Sequence, residues 1–126
     1  MKSNFLGLRT TIYKVSNLNE AKEWYSRVFD TQAYFDEPFY VGFSIKGFEL
    51  GLQPEDGPGR EKGDSVLTYW GVDNVEACYA QLLAFGATEH EAPQNVGGDI
   101  VVATVKDPWN NVLGIIYNPE FAIDSD

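Results

Sequence analysis

Apolar positions along the chain alternate between two periods. Residues 9–15 (RTTIYKV) are β-branched and aromatic, which predicts a strand whose alternate side chains face opposite sides of a sheet. From Asn17 the period lengthens: Ala21, Trp24, Tyr25, Val28 and Phe29 recur at helical spacing, with Asn17 as N-cap and Glu20 three residues on. Residues 39–45 and 48–53 return to strand character around Lys46-Gly47, a short hairpin turn; a two-residue turn sets Ser44 opposite Glu49. Residues 34–37 are a candidate for a further short strand.

The pattern then starts again. Residues 54–64 (PEDGPGREKGD) hold little that can be buried and read as a connector. Beyond them come a predicted strand at 66–72, a helix from Asp73 or Asn74 to Phe85 stopped by Gly86, a loop at 90–98, and strands at 99–105 and 112–117. Tyr13 matches Tyr69, Asn17 matches Asn74 and Phe29 matches Phe85. SIKGFELGLQPE at 44–55 is echoed by TVKDPWNNVLGIIYNPE at 104–120, whose turn is longer by Asp107, Pro108, Trp109, Asn110 and Asn111. Two copies of strand, helix and further strands indicate an internal duplication and an α+β fold, with one helix per copy followed by a meander. Copies at about 8–55 and 65–119 are expected to join into one domain spanning 1–126.

Composition narrows the function. A chain of 126 residues, 44% hydrophobic, suits one globular unit. Nine Lys+Arg against nineteen Asp+Glu give a net charge of −10, which disfavours phosphate backbones and anionic membranes as partners; the acidic residues are scattered and read first as a solvated surface, with attraction of a cationic ligand as the alternative. The lone cysteine, Cys78, leaves no intrachain disulfide, and the first eight residues have too short an apolar run for a signal peptide, so a cytoplasmic protein is expected. The lone histidine, His90, reads as a surface loop residue.

The paired units, the run VSNLNEAKEWYSRVF with its echo VDNVEACYAQLLAFGA, and DPWNNVLGIIYNP together resemble the vicinal oxygen chelate superfamily, which includes glyoxalase I, bleomycin resistance proteins and extradiol dioxygenases. The resemblance implies two βαβββ modules forming a cupped, incomplete barrel around a ligand cavity, and a two-fold homodimer. Metal-dependent members draw His or Glu ligands from the first and last strands of each module. Counted from the helix starts and the hairpin turns, those positions fall here on Thr10, Leu67, Glu49 and Gly114. Only Glu49 is a strong ligand, so no metal and no cofactor is expected.

If these positions face inward as the resemblance implies, alternation adds their neighbours, and the expected lining is Thr10, Ile12, Lys14, Tyr40, Ser44, Glu49, Gln53, Leu67, Tyr69, Thr104, Ile116 and Asn118, with Trp109 at the rim or at a dimer contact. Lys14 is the nearest candidate cation for Glu49, whose pKa burial would raise unless a cation or donors compensate. Three readings follow. The first is a metal-free protein that sequesters a cationic or aromatic small molecule. The second is a lyase or isomerase related to glyoxalase in which Glu49 is a general base and Lys14 stabilises an oxyanion. The third is an interaction module whose cavity is filled by its own side chains.

Overall fold

The computed structural model describes residues 3–57, 61–63 and 65–121. The chain divides into two compact units, Met1–Gly59 and Arg60–Asp126. Residues 58–60 and 64 of the expected connector lie outside the described residues.

Unit 1 runs β1 (Thr10–Val15), α1 (Leu18–Val28), β2 (Phe35–Glu37), β3 (Tyr40–Ile45) and β4 (Phe48–Pro54). Its sheet is ordered β1-β4-β3-β2, with β1 parallel to β4 and the remaining pairs antiparallel. The helix starts where Asn17, in extended conformation, accepts a hydrogen bond from the Glu20 amide at 3.0 Å, satisfying a donor that has no intrahelical partner. Ala21, Trp24 and Tyr25 are buried, and Tyr25 stacks on Tyr13 of β1 with centroids 5.7 Å apart. Tyr13, Val15, Val41, Phe43, Leu50 and Leu52 complete this core. Lys46 (φ 53°) and Gly47 (φ 91°) form the two-residue turn, so both central residues have the positive φ that suits a twisted hairpin, and Ser44 pairs with Glu49.

Unit 2 repeats the order with β5 (Tyr69–Gly71), α2 (Val75–Ala84), β6 (Thr88–Gly97), β7 (Ile100–Lys106) and β8 (Val112–Tyr117), its sheet ordered β5-β8-β7-β6. The N-cap is Asn74, which accepts from the Ala77 amide, and Gly86 (φ 106°) follows the helix in the left-handed conformation. Both units are therefore βαβββ, and the fold is α+β. Neither helix is long and apolar enough to cross a membrane among the described residues.

Two expectations are corrected. The strand expected at 66–72 is confined to Tyr69–Gly71, because only these three residues find register partners on β8, while Val66 and Leu67 precede it and are exposed. Of residues 90–98, all but Gly98 belong to β6 and are not a loop: β6 is an edge strand paired with β7 through three register irregularities, one spanning Pro93. Edge strands accommodate Pro, bulges and polar residues, so β6 carries none of the apolar alternation that would reveal it.

Candidate functional site

Side-chain alternation in unit 1 turns Tyr13, Val15, Val41, Phe43, Leu50 and Leu52 into the core and leaves a second face of the sheet. On it the register lines up Thr10, Glu49 and Ser44 in one row, Ile12, Gly51, Gly42 and Phe35 in the next, and Lys14 with Gln53 in a third. Seven residues expected from sequence, Thr10, Ile12, Lys14, Tyr40, Ser44, Glu49 and Gln53, thus occupy one face.

The paired glycines form its floor. A Cβ on Gly42 would stand 2.8 Å from Glu49 Oε2 and 3.0 Å from the Tyr34 ring, and one on Gly51 would stand 2.7 Å from Cζ of Tyr40. The carboxylate and Tyr34 therefore lie across Gly42, and Tyr40 lies across Gly51. Any larger residue at either position would displace them.

Glu49 is held by hydroxyl groups. Thr10 Oγ1 donates to Oε1 at 2.8 Å, the Tyr34 hydroxyl donates to Oε2 at 2.5 Å, and the Tyr40 hydroxyl also bonds the carboxylate. The Tyr34 bond does most to push the Glu49 pKa below the ordinary carboxylate value; burial opposes it, and the Thr10 and Tyr40 bonds add to it. Tyr40 is pushed up to about 12, first by burial and then by the bond to Glu49 and its negative charge, and Tyr34 is raised chiefly by its bond to the same carboxylate. Lys14 pairs with Asp56 at 3.7 Å. The Glu49–Lys14 pair is replaced by hydroxyl donors, which satisfy the carboxylate without neutralising it and more than offset the upward push of burial on its pKa.

Further aromatic rings adjoin the two tyrosines that hold the carboxylate. Phe35 lies 6.5 Å from Tyr34, 6.0 Å from Phe39 and 6.0 Å from Tyr40, at interplanar angles of 52°, 68° and 55°. Tyr34, Phe35 and Phe39 were absent from the lining expected from sequence. The signal available was the density of aromatics in YFDEPFY at 34–40, directly before the hairpin that carries Glu49. An open groove of about 420 Å³ between residues 16–19 and 36–38 lies elsewhere in the unit and does not include Glu49.

Unit 2 places its residues differently. Tyr69, Gly114 and Thr104 share a row, and a Cβ on Gly114 would stand 2.6 Å from the Thr68 carbonyl oxygen and 2.7 Å from the Tyr69 ring. The Gly114 amide donates to the Thr68 carbonyl as the Glu49 amide donates to that of Arg9, so the counterpart of Thr10 is Tyr69 and not Leu67. Counting from the helix start misplaces it because Asn17 follows Thr10 by seven residues and Asn74 follows Tyr69 by only five. Thr104 is buried with its Oγ1 2.8 Å from His90 Nδ1, so His90 is a half-buried strand residue bonded to its neighbour rather than a loop residue. Ile116 is half-buried on β8, and Asn118, just past it, accepts from the Glu120 amide. Trp109 lies on the β7–β8 turn, half-buried, and its carbonyl accepts from Lys62.

These donors do not fit a transition-metal ion. Of Thr10, Glu49, Tyr69 and Gly114, Glu49 alone is a strong ligand, Gly114 has no side-chain donor, and no three His, Cys, Asp or Glu side chains converge among the described residues.

Residues 7–115 match the model of the Glyoxalase/Bleomycin resistance protein/Dioxygenase superfamily. No curated protein matches the sequence significantly. Among solved structures, the chain is similar to a glyoxalase-related enzyme from Fulvimarina pelagi (17% identity, 97% of this chain and 95% of that one, TM-score 0.78). It is also similar to a glyoxalase/bleomycin resistance protein/dioxygenase family enzyme from Burkholderia phytofirmans PsJN (20% identity, 86% and 95%, TM-score 0.73). A third is the genomically encoded fosfomycin resistance protein FosX from Listeria monocytogenes (16% identity, 94% and 97%, TM-score 0.72). At these identities the likeness concerns the fold.

Proposed function

From the chain's membership of the glyoxalase/bleomycin resistance protein/dioxygenase superfamily, we propose that it binds a small organic cation on the Glu49 face of unit 1, without a metal ion. The observation that carries this reading is a carboxylate kept ionised by hydroxyl donors and bordered by aromatic rings. An ionised carboxylate attracts a cation, and aromatic faces attract it further through their negative π-systems. A net charge of −10 raises the local concentration of such a ligand. Ile12, Tyr34, Phe35 and Phe39 are exposed apolar groups that a guest's body would cover.

The alternative, a lyase or isomerase with Glu49 as general base, is less well supported. Efficient bases have pKa values near the working pH, whereas the three hydroxyls lower that of Glu49 and so weaken it as a base. In this reading the protein acts in the cytoplasm as a homodimer that sequesters its ligand; light scattering on purified protein tests the dimer.

Calorimetric titration with benzyltrimethylammonium tests the binding, using wild type and Glu49→Gln, with neopentylbenzene as the neutral probe of the same shape. Saturable binding of the cation that is lost in Glu49→Gln supports the proposal. Equal affinity for the cation and the neutral probe refutes it.

A further inference from the structure

The way Glu49 is satisfied specifies the cation more narrowly. A carboxylate offers about four lone-pair sites, and here Thr10 takes one on Oε1, Tyr34 takes one on Oε2, and Tyr40 supplies a third bond. Little directional acceptor capacity remains, but the negative charge is intact. Resting on the cation-binding reading above, we infer that the preferred guest is a fully alkylated cation, a quaternary ammonium or sulfonium group on an apolar body, which needs charge and π-faces but no hydrogen-bond acceptor.

Three features of unit 1 support this selectivity. The rings of Tyr34, Phe39 and Tyr40 are inclined to Phe35 by 52° to 68°, so the cluster presents faces and edges in several directions instead of one flat stack. Walls of that kind surround a rounded alkylated cation from more than one side. The Gly42 and Gly51 pair keeps the floor low, and Ile12 adjoins it, so methyl groups meet apolar surface. Hydration also separates the candidates. A primary ammonium leaves three strong hydrogen bonds to water behind, and the free lone pairs of the phenol oxygens replace them only in part; an alkylated cation has no such bonds to lose.

The test compares benzyltrimethylammonium with benzylammonium on the full chain, by calorimetry, for wild type and Tyr34→Phe. The substitution keeps the ring and returns a lone pair to Oε2. In wild type the alkylated cation binds tighter by about fivefold or more, which at ~1 kcal/mol is the upper end of an exposed cation–π contact. Tyr34→Phe narrows that ratio by improving the affinity of benzylammonium. Thr10→Val, which frees Oε1, is the second variant and shifts the ratio the same way if Tyr34→Phe does not fold. Benzylammonium binding as tightly as its alkylated counterpart in wild type overturns the inference and leaves cation binding standing. An unchanged ratio in the folded variants also overturns it. Binding of neither cation to folded wild type overturns the proposed function itself.

Discussion

The hydroxyl of Tyr34 donates to Glu49 Oε2 across 2.5 Å, and the two side chains lie together over Gly42. This contact joins the segment leading into β2 to β4, two strands that are not neighbours in the sheet. It does so above β3, where a side chain at position 42 would intrude. The bond thus depends on a glycine in a third strand, and it is the largest influence keeping Glu49 ionised.

The depressed pKa of Glu49 has a signed consequence for acid behaviour. A group with a lower folded than unfolded pKa stabilises the fold above its unfolded value, and that contribution is lost as pH falls through the folded value. Wild type is therefore expected to lose a stability increment on acidification that Glu49→Gln does not have, with cation affinity falling over the same window. Chemical denaturation of both proteins across the acid range measures this; parallel pH profiles would contradict it.

Tyr40 works in the opposite direction. Its folded pKa is about 12 against an ordinary 10.0, so its neutral form is favoured by folding. The associated stability is complete below the ordinary value and is lost as pH rises from there through about 12. Tyr34 and Tyr79 are raised as well, so the readout is the difference between the ultraviolet titrations of wild type and Glu49→Gln, in which the Tyr40 phenolate should move down. It should not return to the ordinary value, because burial is the larger cause and remains.

Alanine at the two tight glycines should separate binding from stability. At Gly51 the added Cβ meets the outer end of the Tyr40 ring, which can swing away, so Gly51→Ala should weaken cation binding at a stability cost near 1 kcal/mol. At Gly114 the Cβ meets the Thr68 carbonyl as well as the Tyr69 ring, and the backbone yields less readily, so the cost should approach 3 kcal/mol, within the ~1–3 kcal/mol range of overpacked sites. Thermal or urea denaturation of the two variants checks the order.

Asp107 organises the long turn between β7 and β8. Its Oδ1 accepts from the amides of Trp109 and Asn111 at 2.9 and 2.8 Å, and its Oδ2 accepts from Asn111 Nδ2 at 2.9 Å, all with Asp107 only 3% exposed. Asp107→Ala leaves these donors without their acceptor and should destabilise unit 2 by roughly 2 kcal/mol or more. Asp107→Asn, which keeps one acceptor oxygen, should recover part of that loss.

Much of the fold was legible because its elements are written in strong local patterns. Asn17 and Asn74 mark helix starts, the Lys46-Gly47 turn fixes the Ser44–Glu49 register, and Asn110 takes a positive φ (70°), which Asn tolerates, in the long turn. Strand β6 was hidden because an irregular edge strand carries no apolar alternation, and Leu67 was misplaced because the two modules link first strand to helix with different lengths. The partners of Glu49 were legible in part. Thr10 followed from strand register, but Tyr34 reaches the carboxylate from outside any regular element, a contact that periodicity cannot show. Lys14 lies opposite Gln53 by the register of β1 on β4, two rows beyond Glu49 along the strands, and pairs with Asp56 instead.

The most direct test of cation binding at Glu49 is backbone amide chemical-shift mapping on nitrogen-labelled protein titrated with benzyltrimethylammonium. Saturable shifts are expected, concentrated at Thr10, Ile12, Tyr34, Gly42, Glu49 and Gly51 and absent in Glu49→Gln. Shifts that do not saturate, or that cluster away from these residues and persist in Glu49→Gln, would contradict it.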